Sequence, residues 1–286
     1  VTLFALLLLA ATGPAAVYPG DEELIGVPGT HQVAPDESLI EIARDYDLGF
    51  NAIAEANPTL DEFVPGTGAT VALPTAWILP RTAAPGTVVV NLSEMRLYYF
   101  SRSRPEGGNW VVTFPIGIGS EGTETPLGRF QVIAREHNPV WRVPASIRKE
   151  KPELPAQVPS GPDNPLGTHA LHLSGPLILI HGTDKPFGVG RRASHGCLRL
   201  YPEDIPQLYR LVHVGTEVII VREPVKVALH NDRVYVEVHL DEHVQADTAA
   251  LARGLLAGRG LLDRVDGAKL EAAVQHPTGT PVDVSR

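Results

Sequence analysis

Leu177-Ile178-Leu179-Ile180-His181-Gly182-Thr183 and, after a glycine-punctuated loop, Ser194-His195-Gly196-Cys197-Leu198-Arg199 are the stretches that decide how this chain reads. The four-residue aliphatic run predicts a buried strand, with His181 at its carboxyl end, where the chain breaks out at Gly182. A histidine at a rigid strand end beside a flexible loop is well placed to act as a base. Cys197 is the single cysteine, so no intrachain disulfide can form. A free thiol has a reference pKa of about 8.5 and is mostly protonated at neutral pH unless its neighbours shift it. His181, His195, Arg191 and Arg192 could each favour the anion. Gly196 removes a side chain where a substrate carbonyl would approach. It also permits a turn whose successive amides converge on one point, as an oxyanion hole requires. Arg199 could hold a substrate carboxylate or brace the loop.

Outward from this pair the period is that of strands, over residues 87–92, 96–100, 110–114, 129–134, 177–180 and 217–221. A Pro-rich stretch without clear periodicity, residues 138–167, interrupts them and reads as a lid or binding loop. After the thiol, Pro202, Glu203 and Asp204 open a helix whose apolar face is Ile205, Leu208, Tyr209 and Val212. Residues 225–238 predict a hairpin turning at Asn231-Asp232, and residues 247–274 a helical tail. Upstream, residues 31–74 read as strand, helix, helix, strand. Ser38-Leu39-Ile40-Glu41 is a capping box, Asn51 is the expected cap of the second helix at 52–56, and Asn57-Pro58 ends it. Residues 76–85, with Pro80 and Pro85, read as a linker.

The chain of 286 residues is 43% hydrophobic and 20% charged, enough for two domains with real cores and incompatible with disorder throughout, collagen or a coiled coil. Its 27 Gly and 26 Pro favour short strands with many turns. The net charge of −9 is not spread evenly: residues 21–73 hold eleven acids and one base, Arg44, leaving the rest near neutral. That distribution argues against nucleic acid as a partner. Leu3 to Ala11 is an apolar run too short to span a bilayer, followed by small residues Thr12-Gly13-Pro14-Ala15-Ala16. Residues 1–16 are therefore expected to be an export signal. A lone thiol in an oxidising compartment is either a liability or a working nucleophile.

The ordered set Asn91-Leu92-Ser93-Glu94-Met95-Arg96-Leu97-Tyr98, Thr125-Pro126-Leu127-Gly128, Ile180-His181-Gly182-Thr183 and Ser194-His195-Gly196-Cys197-Leu198-Arg199 closely resembles the L,D-transpeptidase (YkuD) catalytic domain, over residues 86–222. Val33, Pro35, Ser38-Leu39, Ile42-Ala43, Asn57-Pro58 and Leu73-Pro74 resemble a LysM module at 29–75, with Asp36-Glu37-Ser38 where Gly-Asp-Thr is usual. The segments 144–150 and 161–167 resemble the Gram-negative periplasmic subgroup that carries both. The resemblance implies a mainly β catalytic domain, sandwich or barrel, behind a small βααβ glycan-binding module, with residues 223–286 as a C-terminal extension. It implies Cys197 as nucleophile, His181 as base and the Gly182 carbonyl as the group orienting the imidazole. The amides of His195, Gly196 and Cys197 would form the oxyanion hole, and Arg199, Arg191 and Arg192 would bind substrate. The implied partners are peptidoglycan stem peptides and glycan, with a stem amine, the Lys of an outer-membrane lipoprotein, or water as acceptor. No metal and no organic cofactor is implied, and the implied location is the periplasm.

Other readings of these residues are weaker. His169, His172, His181, His195 and Cys197 suggest zinc, but the alternation of Leu171-His172-Leu173 is that of a strand, which sends His169 and His172 to opposite faces. In a papain-like protease the thiol precedes the histidine, the reverse of the order here. A wall-binding protein with an inert buried Cys197 would resist iodoacetamide. His230, His239, His243 and His276 have no motif around them.

Overall fold

The computed structural model describes residues 16–82, 84–102, 108–175, 178–244 and 247–286. All but the last residue of the expected export signal, and Leu177, lie outside the described residues. The chain begins with β1 (Val17–Pro19), β2 (Leu24–Gly26) and β3 (Gly29–Gln32), then α1 (Leu39–Asp45), α2 (Phe50–Ala56), β4 (Thr70–Leu73) and β5 (Ala76–Ile78). Strands β3 and β4 pair antiparallel around the two helices, the βααβ order expected. The Ser38–Glu41 capping box is present in both directions. Asn57 ties the module shut by donating to the Ile53 and Ala72 carbonyls and accepting from the Ala72 amide. Two expectations are corrected. Helix α2 starts at Phe50 with Gly49 at its cap, and Asn51 instead sends its side chain to the Glu94 carbonyl at 2.9 Å. The stretch read as a linker carries β5, which is buried and pairs with β2; alternation is too short over three residues to reveal such a strand.

Next come β6 (Thr87–Asn91), β7 (Arg96–Phe100), β8 (Trp110–Pro115), β9 (Ile118–Gly119) and β10 (Gly128–His137). The Pro-rich stretch carries β11 (Trp141–Arg142), α3 (Ala145–Glu150) and β12 (Gln157–Val158). Then follow β13 (His169–Leu173), β14 (Leu179–His181), β15 (Arg192–Ser194), β16 (Leu198–Arg199), α4 (Ile205–Leu211) and β17 (Glu217–Val221). Helix α4 starts after Asp204, one turn later than Pro202 suggested. Nine strands form one sheet in the order β1-β8-β7-β6-β17-β10-β13-β14-β16, so the domain is mainly β as expected. The pairs β6–β17 and β14–β16 are parallel and the other pairs in the sheet antiparallel.

The sheet is buried on both faces, which is why its central strands read as unbroken apolar runs. Val88, Val90, Val218 and Ile220 join one core with Leu198, Ile205 and Leu208, beneath the catalytic strands and α4. Val89, Tyr98, Phe100, Val111 and Ile219 point the other way, into a core completed by Leu39, Ile42, Leu48, Ile53 and Trp77 of the N-terminal module. The two expected domains therefore share one interior.

The C-terminal segment adds β18 (Val225–His230), β19 (Arg233–Val238), α5 (Thr248–Gly258), α6 (Gly267–Gln275) and β20 (Val282–Asp283) around a third core. Asn231 and Asp232 both have positive φ, 47° and 63°, the conformation a two-residue hairpin turn demands. The expected helical tail is two helices, separated by Gly260 at φ 66°. A buried Lys226 joins all three units. Its Nζ donates to Glu94 (2.9 Å), to Glu237 (2.8 Å) and to the Ile78 carbonyl (2.7 Å).

Candidate active site

Parallel pairing of β14 with β16 sets His181 opposite Arg199 and Ile180 opposite Leu198. Side chains in register across a pair share a face, and residues two apart along a strand do also. His181 and Arg199 are thereby brought to one side of the sheet edge, and Cys197 directly precedes β16, with fifteen residues of chain between it and His181. The Arg199 charge acts on both His181 and Cys197, as this placement requires.

His181 is buried, and its Nδ1 lies 2.6 Å from the Gly182 carbonyl oxygen. A carbonyl can only accept, so Nδ1 carries the proton and Nε2 is left as the basic nitrogen. Burial, helped by the Arg199 charge, lowers the pKa of His181 to about 4, against the smaller opposing effect of the Gly182 bond. Burial raises the pKa of the half-buried Cys197, against a backbone hydrogen bond with Leu179 and the Arg199 charge. The resting pair is thus a neutral thiol and a neutral imidazole. Gly182 has no room for a side chain, since a Cβ there would meet Ile205 Cγ2 at 2.9 Å.

The turn before the thiol is held from below. Gly196 has φ 97°, a conformation that favours glycine, and its carbonyl accepts from Thr125 Oγ1 at 3.0 Å. The Ser194 carbonyl accepts from the Ser120 amide, the Ser120 hydroxyl and the Thr123 hydroxyl, while Ser194 Oγ donates to the Cys197 carbonyl at 2.6 Å. Among the described residues the amides of His195 and Gly196 have no hydrogen-bond partner. The His195 side chain is exposed and meets Glu150 of α3 at 3.2 Å, away from the base position. Ser120, Thr123, Thr125 and Ser194 had no role of their own in the sequence reading, although Thr125 and Ser194 lie in motifs that carried the resemblance.

The three arginines part company. Arg199 stays at the site, half-buried, with its Nε unpartnered. Arg191 and Arg192, read from sequence as substrate-binding, both make contacts within the protein. Arg191 stacks on the Phe50 ring at 3.9 Å and Arg192 pairs with Asp241 at 3.1 Å. Of the histidines considered for zinc, His169 stacks against His137 and Tyr209, and His172 pairs with Glu136 at 3.0 Å. The group of donors close enough together for a metal among the described residues is instead Glu94, Glu237 and His239, where Lys226 already bonds to both carboxylates. His239, without a motif in the sequence, lies buried 2.7 Å from Glu237.

Residues 85–220 match the YkuD family, the L,D-transpeptidase catalytic domain. The probable L,D-transpeptidase ErfK/SrfK of Salmonella typhimurium is 38% identical over 99% of this chain and 95% of that protein. This chain belongs to the L,D-transpeptidase family. Two further relatives, the probable L,D-transpeptidases YcfS and YbiS of Escherichia coli, are 38% and 37% identical over 99% and 98% of this chain and 91% and 95% of those proteins. The similarity thus runs through the N-terminal module and the C-terminal unit as well as the catalytic domain, and it supports the Gram-negative subgroup. The protein is an enzyme of the L,D-transpeptidase class.

Proposed function

We propose that this L,D-transpeptidase works on peptidoglycan in the periplasm, with Cys197 as nucleophile and His181 as base. The thiol proton passes to His181 Nε2 as Sγ attacks the carbonyl carbon of the third, diaminopimelate, residue of a tetrapeptide stem. The amides around His195, Gly196 and Cys197 receive the developing oxyanion. The tetrahedral intermediate collapses by breaking the C–N bond to D-Ala, which leaves with the proton from His181, and a thioester remains. An acceptor amine then attacks the thioester, His181 takes its proton, and the Cys197 thiolate departs and is reprotonated. The amine is a stem diaminopimelate, giving a 3→3 cross-link, or the Lys of an outer-membrane lipoprotein; water in its place would make the enzyme a carboxypeptidase.

The observation that supports this reading is the register of β14 on β16, which sets His181 opposite Arg199, two residues beyond Cys197, with Gly182 holding the imidazole in the tautomer that leaves Nε2 basic. The βααβ module supports a second contact, with the glycan strands. Incubation with purified tetrapeptide stems, with and without a lipoprotein C-terminal peptide, followed by mass measurement, tests both the reaction and its acceptor. The expected first product is a thioester adduct on Cys197 lacking D-Ala. Turnover by the Cys197→Ala variant would refute the mechanism.

A further inference from the structure

The segment between base and nucleophile is gripped from both sides. Its stretch 189–194 lies along 116–120: the Gly190 amide donates to the Ile116 carbonyl, the Ile118 amide to the Arg191 carbonyl, and the Ser120 amide to the Ser194 carbonyl. Arg191 and Arg192 are successive residues of extended chain, so they project in opposite directions. Arg191 goes to the N-terminal module, where the Phe50 and Asn51 amides also donate to the Val189 and Gly190 carbonyls at 3.3 and 3.2 Å. Arg192 goes to Asp241, at the exit from β19.

Asp241 is built to hold that arginine. Its side chain is fully buried, and it accepts from Arg222 Nη1 at 2.7 Å on both oxygens, from Ser93 Oγ at 2.7 Å and from the His243 amide at 3.0 Å. These bonds anchor the carboxylate to the end of β17 and to the β6–β7 turn, leaving Arg192 as its link to the catalytic loop. From Arg192 the path to the thiol is short: Ser194, two residues on, is bonded through its hydroxyl to the Cys197 carbonyl.

We propose that Asp241 is a positioning residue for acyl transfer: through Arg192 it holds the loop that presents the Cys197 thiol and the oxyanion amides. This rests on Cys197 being the nucleophile. The C-terminal unit then contributes one residue, Asp241, to the positioning of the catalytic loop, and Arg192 serves the reaction without touching substrate.

The test uses the full chain, a tetrapeptide stem with an amine acceptor, and four variants, one of them a control, with active sites counted by iodoacetamide labelling of Cys197. Arg192→Gln cuts the link to the loop while sparing the Asp241–Arg222–Ser93 anchor. Its kcat per labelled site is expected to fall about tenfold or more, the scale of a modest misplacement at a reacting centre, with KM unchanged. Arg192→Lys, which keeps the charge, should recover part of the loss, and Asp241→Asn should reproduce it. A raised KM with kcat retained would mean that Arg192 binds substrate, and would overturn the proposal. Wild-type kcat per labelled site would overturn it too, whether or not the melting temperature falls, because the tie would then be structural only. Glu271→Gln, which breaks an exposed ion pair with Arg253 remote from the loop, is the control and should leave kcat as it is. Failure of the wild-type chain to be labelled at Cys197 or to turn over stems would instead defeat the reading of Cys197 as nucleophile.

Discussion

Burial raises the pKa of the Cys197 thiol and lowers that of the His181 imidazole to about 4, so burial favours the neutral form of each. Iodoacetamide reacts with the thiolate, so alkylation of Cys197 should accelerate about tenfold per pH unit between pH 6 and 8; a preformed thiolate–imidazolium pair would give a plateau there. His181→Ala should lower kcat by about 100- to 10,000-fold, the usual worth of a positioned base, measured with tetrapeptide stems. Both residues were legible in the sequence because the motif is local at each end: a strand that stops at His181 and a glycine before the thiol. The arginines were not. Arg191, Arg192 and Arg199 are alike as letters, and the partners of the first two, Phe50 and Asp241, appear only in the folded chain.

At the scale of elements, helix ends show the same division. Ser38 caps α1 through bonds within four residues of chain, so the sequence alone suffices to find it. Ser38→Ala should cost about 1 kcal/mol in urea denaturation, with little effect on kcat. The start of α2 was misread because its first amides are satisfied by carbonyls from 139 residues away: Phe50 and Asn51 donate to Val189 and Gly190. Gly190 permits this approach, since a Cβ there would fall 2.1 Å from the Phe50 amide nitrogen. Gly190→Ala is therefore expected to push α2 off the catalytic loop, lowering the melting temperature and kcat together. Short strands such as β5, β9, β15 and β16 were invisible for a related reason: two or three residues show no period, and pairing with distant chain is what makes them strands.

For the whole molecule, the N-terminal module and the nine-stranded sheet share one interior. Residues 86–222 alone would expose Val89, Tyr98, Phe100, Val111 and Ile219, and would strand Glu94 without Lys226. That fragment is expected to be insoluble or molten, where the full chain melts in one transition by calorimetry. The buried cluster at the junction also has a pH signature. His239, beside Glu237 and Glu55, has its pKa raised to about 10, burial opposing and the carboxylates outweighing it. A raised folded pKa means that this stabilisation is complete below the ordinary value of about 6.5 and is lost as pH rises towards 10. The stability difference between wild type and His239→Gln should accordingly shrink across that interval in urea titrations. Lys226→Ala should cost about 3–5 kcal/mol, because Glu94 and Glu237 would keep buried charges without their ammonium.

The sequence by itself determined the chemistry and its local supports: the thiol, the histidine, the glycines that let the backbone turn, the α1 cap and the Asn231-Asp232 hairpin. Each depends on residues a few positions apart, where spacing and side-chain type are sufficient physical information. The tertiary structure alone decided which partners Arg191 and Arg192 take, that the N-terminal module and the C-terminal unit both contact the 189–194 stretch, and that Val89 and Ile219 face a second core. Those outcomes turn on strand register and on which charges are buried together, and both arise only when stretches well separated in the chain are packed against each other.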